Sequence, residues 1–232
     1  MHLPVSQQRA SAGSDVIVSA VANAIAAIDF ADIQSLLDGG EALLRHAARP
    51  EHLRALLDRT RTTPGLLTQC EHFNLFDKIV LHEDRERKVR LRLHVFGGEV
   101  REVHHHRASF ASLVLHGSYT HLLFGDEKYL GDPAGGLSRF QALMAQDQRP
   151  GSTYALHHAM VHATVAKPET VSLMLQAPVA RDSFRIYDLT TGRRRDRVGK
   201  KQAAEVQEEG ESTITAERIL EISDSLSRWG LI

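Results

Sequence analysis

The chain has 232 residues, of which 42% are hydrophobic and 25% charged, enough to bury a sizeable core. Lys and Arg number 28 against 29 Asp and Glu, so no net field draws the protein to nucleic acid or to an anionic membrane, and a small-molecule partner is expected. One cysteine, Cys70, excludes an internal disulfide framework and a multi-cysteine zinc site.

Residues Met1 to Ser14 lack the charged-then-apolar order of a signal peptide, and no stretch approaches the roughly 18 apolar residues of a membrane span, so a cytoplasmic protein is expected. From Asp15 to Phe30, Val16, Ile17, Ala20, Val21, Ala24, Ile25 and Ile28 recur at helical spacing behind a capping Ser14 or Asp15. Two further helices are expected, from Asp32 to about Arg49 with an interruption at Gly39-Gly40, and from Glu51 to Thr60 after Pro50. Pro64-Gly65 is expected to end the helical part.

Past residue 70 the pattern changes to period two. Strands are expected at Asp77 to His82, Val89 to Phe96, Val100 to His105, Ala111 to His116 and Ser118 to Phe124. Four more are expected at Thr153 to Leu156, Met160 to Ala166, Val171 to Ala177 and Ser183 to Leu189. Many short strands mean an antiparallel sandwich or barrel. Gly131 to Gly136 reads as a turn-rich loop and Arg193 to Lys201 as a basic, solvated one. A closing helix from Thr215 to Arg228 places Ile219, Leu220, Ile222 and Leu226 on one flank. The expected organisation is one structural domain, with a helical layer over 1–65, a β-barrel over 66–192, and a basic loop and helix over 193–232.

The chain carries 14 histidines, crowded between residues 94 and 162. On a strand, side chains at i and i+2 share a face, so His104 and His106 converge while His105 turns away. The phrase around them runs Gly98, five residues, His104, one residue, His106, three residues, Phe110, six residues, Gly117. It matches the cupin motif G-x5-H-x-H-x3,4-E-x6-G at every position except the Glu. The second half supplies Pro150-Gly151, Tyr154 and then His162 on a later strand that a barrel brings beside the first. The expected site is one divalent metal ion on three neutral imidazoles, keeping its full double charge and leaving about three positions open. His157 and His158 fall at a hairpin tip and are candidates for acid–base work. His94, His116 and His121 read as structural residues.

From Phe76 to Gly192 the sequence resembles the thiol dioxygenases of the cysteine dioxygenase type, a divergent branch of the cupin superfamily. Tyr154 stands eight residues before His162, and Val171 to Pro178 is similar to that family's V-S-L-H-L-Y-S-P. Phe184 to Gly192 is similar to its F-D-x-x-T-G ending. The resemblance implies a mainly β, jelly-roll barrel with N-terminal helices and a C-terminal helix. It further implies a non-haem Fe(II) centre on His104, His106 and His162 that takes a chelating small-molecule substrate and O2, in a monomer or small homo-oligomer.

Ser172 matches the serine of the family's Ser-His-Tyr relay, but Met174 and Gln176 replace its histidine and tyrosine. The cysteine that some members cross-link to that tyrosine falls near Phe110, so no cross-link forms here. Lys78 aligns with the arginine that clamps the substrate carboxylate, exchanging a planar fork for a point charge. Free cysteine is therefore not the expected substrate, and a larger or more hydrophobic molecule is. Two other readings stay open. In one, Zn, Ni, Mn, Cu or Fe acts as a Lewis acid in an isomerase, lyase or hydrolase; in the other, the barrel holds a metal without turnover.

Overall fold

The computed structural model describes residues 5–99, 102–129, 141–187, 194–198 and 212–232. The Gly131 to Gly136 loop and the segment Asp188 to Gly192 lie outside the described residues. Helix α1 spans Val5–Ala26, α2 Ile33–Ala47, α3 Pro50–Thr62, α4 Pro64–Leu67 and α5 Ala216–Arg228. The strands are β1 Glu71–Phe73, β2 Phe76–Asp84, β3 Val89–Phe96, β4 Val103–His104, β5 Phe110–His116, β6 Tyr119–Asp126 and β7 Met144–Gln148. They continue with β8 Thr153–Leu156, β9 Met160–Ala166, β10 Thr170–Gln176, β11 Ser183–Tyr187, β12 Arg194–Val198 and β13 Ser212–Thr213.

Helix α1 runs through Ser14 and Asp15, which therefore do not cap it as expected. Helices α2 to α5 begin where local chemistry supplies an acceptor or removes the need for one. The Asp32 carboxylate accepts from the backbone N–H of Gln34 at 3.0 Å and of Ser35 at 3.3 Å, opening α2. Pro50 takes the first position of α3, where its missing N–H costs nothing. Thr215 caps α5 by accepting from the N–H of Arg218. The Gly39-Gly40 pair does not interrupt α2. A Cβ on Gly40 would stand 2.7 Å from the Cβ of Ala111, so the glycine lets the helix lie directly on β5. Pro64-Gly65 does not end the helical part either: the proline starts α4. On α5 Ile219, Ile222 and Leu226 are buried, but Leu220 is 48% exposed and belongs to the outer side.

The strands form two antiparallel sheets in the orders β13-β1-β2-β3-β10-β5-β8 and β12-β11-β4-β9-β6-β7. Their cores, β3-β10-β5-β8 facing β4-β9-β6-β7, are the two halves of a jelly roll, so the cupin-type β-barrel with flanking helices is the fold of this chain. Period two sorts the first sheet. Leu91, Leu93, Leu113, Leu173 and Leu175 join Leu36, Leu43, Leu53, Leu56 and Ile219 of the helices in one core. The alternate residues, among them His94, Ser172, Met174 and Phe110, take the opposite face. There Phe96 and Val114 of one sheet meet Tyr119 and Ala166 of the other.

The segment expected as a solvated basic loop contains β12, which pairs with β11 along its whole length. Arg185 holds Asp196 across that ladder at 2.6 and 3.2 Å. The buried thiol of Cys70 donates to the carbonyl oxygen of Leu66 at 3.4 Å and accepts from the N–H of Val80 at 3.3 Å. Among the described residues no helix is long and apolar enough to cross a membrane.

Candidate metal centre

One short ladder brings the histidines together. His104 on β4 is the register partner of His162 on β9, and His106 follows just past the end of β4. The three ring centroids form a nearly equilateral triangle, with sides of 4.7, 4.8 and 4.9 Å. One ligand atom from each ring lies within 4.8 Å of the other two. Nε2 of His106 and Nε2 of His162 stand 2.7 Å apart. His105 turns away as the strand period requires. It meets Glu127 at 3.0 Å, and Arg181 pairs with the same carboxylate.

Two of the outer ring nitrogens have partners. Nδ1 of His104 meets the carbonyl oxygen of Glu102 at 3.0 Å, and Nδ1 of His162 meets Nε2 of His121 at 2.9 Å. Burial pushes the imidazoles of His106 and His162 well below the usual histidine range, and the neighbouring imidazoles add to it. The same cause lowers His104 and takes His121 down to about 4. All four are neutral at pH 7, the form a cation needs in its ligands. Nitrogens bound to one ion at about 2.1 Å lie no more than about 4.2 Å apart, so the rings need only a small inward adjustment. These residues therefore fit a single divalent ion.

Phe110, where the motif has a carboxylate, is 1% exposed. Its ring sits edge-on to His106 at 4.6 Å and lies 5.9 Å from His162. An apolar wall thus replaces an anionic ligand. Tyr154 does not reach the triangle with its hydroxyl, which accepts from Tyr119 at 2.9 Å. Its ring lies 4.6 Å from that of His121. Ser172 is buried and pairs in register with His94 on one side and Val114 on the other. Met174 and Gln176 follow on the same face of β10. Lys78 is the register partner of His94, with Nζ 4.4 Å from the Phe73 ring centre and 5.0 Å from that of Phe76. After burial, its charge is a further influence holding His94, His104 and His106 neutral. His94 is 7% exposed, and its Nε2 has no hydrogen-bond partner among the described residues.

His157 and His158 stay outside the triangle, their rings 4.0 Å apart in the turn between β8 and β9. Nδ1 of His158 meets the hydroxyl of Ser109 at 3.2 Å, and Nδ1 of His157 accepts from the N–H of Ala159. Both are occupied in shaping the turn. Of the histidines read as structural, His116 stacks its ring on Trp229 at 4.8 Å, and His121 hydrogen-bonds a member of the triangle from 41 positions away; the i+2 relation of His121 to Tyr119 along β6 is the signal in the sequence that it shares that residue's face.

No protein-family model matches the chain, and no curated protein does. Among solved structures it is similar to an RmlC-like cupin from Shewanella frigidimarina, at 15% identity and a TM-score of 0.34 over 46% of this chain and 79% of that one. A cupin superfamily protein from Desulfitobacterium hafniense is similar at 15% identity and a TM-score of 0.33, over 46% and 81% of the two chains. An acetylacetone dioxygenase from Acinetobacter johnsonii is similar at 11% identity and a TM-score of 0.33, over 52% and 68%. What the chain has in common with each of them covers about half of its own length.

Proposed function

We propose that His104, His106 and His162 hold one divalent metal ion, and that the protein is a metal-dependent oxygenase with non-haem Fe(II) acting on a small metal-chelating organic substrate. The observation that supports this reading is the triangle itself: three convergent, neutral imidazoles with Phe110 where a carboxylate would neutralise part of the ion's charge. Bound there, the metal supplies a Lewis acid with open positions and, as iron, a one-electron redox couple.

The chain's own residues supply the rest. Phe110 keeps water from one side of the triangle. Lys78, whose Nζ also stands 4.0 Å from a Glu71 carboxylate oxygen, sets a positive charge on the opposing sheet, where an anionic group of the substrate gains from it. Met174 and Gln176 leave the interior face of β10 without the imidazole and phenol that handle protons in cysteine oxidation, so free cysteine is not the substrate. A second reading, in which a redox-silent ion acts as Lewis acid alone, is favoured by that same missing phenol at Gln176.

Metal analysis after expression in ordinary medium separates the two readings. The oxygenase predicts about one iron per chain and, with nitric oxide under argon, a paramagnetic adduct detectable by electron paramagnetic resonance. His104→Ala and His162→Ala should lose both. Zinc or nickel in place of iron, with activity that survives the exclusion of oxygen, selects the second reading, and iron content unchanged in both variants refutes the site.

A further inference from the structure

We infer that His121 is the positioning residue of the metal centre: by accepting a hydrogen bond from Nδ1 of His162, it holds that ligand in the one tautomer whose Nε2 can bind a cation. The inference rests on the metal-binding reading above and adds to it a residue outside the triangle.

The two nitrogens of His162 face different partners. Nε2 faces His106 at 2.7 Å, inside the triangle, and Nδ1 faces Nε2 of His121 at 2.9 Å. A neutral imidazole carries one proton. For Nε2 to offer its lone pair to an ion, that proton must sit on Nδ1, and Nδ1–H must then find an acceptor. His121 Nε2 is that acceptor, so His121 must itself carry its proton on Nδ1. The opposite arrangement, with His121 donating from Nε2, leaves His162 protonated at Nε2 and closed to metal.

His104 has no such ambiguity. Its Nδ1 meets the carbonyl oxygen of Glu102 at 3.0 Å, and a carbonyl can only accept. His162 is thus the ligand whose tautomer is set by another side chain, and that side chain is held firmly. His121 is 3% exposed. The Tyr154 ring lies against it at 4.6 Å and 30°, and Tyr154 is in turn fixed by the 2.9 Å bond from the Tyr119 hydroxyl. Partners of this kind orient a ligand ring and raise its basicity, and their loss typically costs about 10–100-fold in metal affinity.

The test is a Co(II) titration of the metal-free full chain, followed by visible absorption, on wild type, His121→Phe and His121→Gln. Phenylalanine keeps the ring and removes the acceptor, so Co(II) binding should weaken about 10–100-fold. Glutamine restores an acceptor oxygen and should bring affinity back to within about threefold of wild type. Long-range proton–nitrogen NMR of Zn(II)-loaded wild type gives a readout that packing alone does not move: the protons should be on Nδ1 of both His162 and His121. A proton on Nε2 of His121, or Co(II) binding by His121→Phe as tight as wild type, overturns the inference while leaving the metal site standing. Wild type that takes up neither Co(II) nor Zn(II) instead removes the metal-binding reading, and this inference with it.

Discussion

The metal-free barrel should be acid-labile in a pH range where carboxylates are silent. His82, His94, His104, His106, His121 and His162 are all pushed below the usual histidine range, with burial the largest cause in each. A histidine whose folded-state pKa is depressed binds fewer protons folded than unfolded. Stability therefore falls as pH falls through the unfolded value near 6.5, and the loss is complete once the folded pKa is passed. For His121 that window runs from about 6.5 down to about 4. At about 1.4 kcal/mol per unit, this residue alone removes about 3 kcal/mol across the window and about 2 kcal/mol by pH 5. Against a typical total of 5–15 kcal/mol this is large. With a urea slope near 2 kcal/mol per molar, the midpoint of chelator-treated protein should drop by about 1 M or more between pH 7.5 and pH 5. His121→Phe should take up about one proton fewer on unfolding. A midpoint that holds steady to pH 4.5 and then collapses, as carboxylate protonation alone would give, shows the reasoning to be wrong.

Gly40→Ala gains about 1 kcal/mol of helix propensity but drives a methyl to 2.7 Å from the Cβ of Ala111, an overpacking cost of about 1–3 kcal/mol. Net destabilisation of about 1 kcal/mol is expected in urea unfolding, with recovery in the Gly40→Ala/Ala111→Gly pair; a stabilised single variant refutes the close approach. Arg218→Ala leaves the 3%-exposed carboxylate of Asp77 with His72, at 2.5 Å, as its ion-pair partner among the described residues, and because Arg218 is itself half exposed, the loss should be about 1–3 kcal/mol. Thermal melts check this, and a change under about 0.5 kcal/mol speaks against α5 being tethered there. Lys78→Met should weaken binding of 2-mercaptobenzoate to the Co(II)-loaded protein about tenfold while sparing benzenethiol; equal loss for both ligands discounts a charge role.

The strands legible in the sequence are those rich in β-branched and apolar residues. In Val89–Phe96 period two is real, since Val89, Leu91, Leu93 and Val95 all enter the helix-packed core; Thr153–Leu156 and Met160–Ala166 stand where expected without alternating burial, the latter burying Val161 and Ala163 on one face and His162 and Ala166 on the other. β7 and β12 were hidden for the converse reason. Met144 to Asp147 are all exposed, and Arg194-Arg195-Asp196-Arg197 offers no apolar period, so backbone pairing and the Arg185–Asp196 contact hold what hydrophobicity does not. Gly39-Gly40 reads as a break because glycine disfavours helix; only the nearness of Ala111 reveals why it is there. In the candidate site, the spacing of His104 and His106 carried its own geometry, whereas the hydrogen bond between His162 and His121 depends on the register in which β6 pairs with β9, which places His121 opposite Thr164, two residues from His162, and a register between strands 41 positions apart is not written in local spacing.

The register pair His104–His162 is the one described point where β4 and β9 meet. These strands belong to the sheet remote from the helices, outside the large core that binds α2, α3 and α5 to the other sheet. An ion on His104, His106 and His162 would therefore work as a rivet. It would close a loop of roughly sixty residues at a short seam, where backbone pairing amounts to the His104–His162 register pair and the bond from the His106 N–H to the His158 carbonyl, and a cross-link restricts the unfolded chain more as the loop it closes lengthens. The half of the barrel least secured by apolar packing is the half that metal loading would fasten.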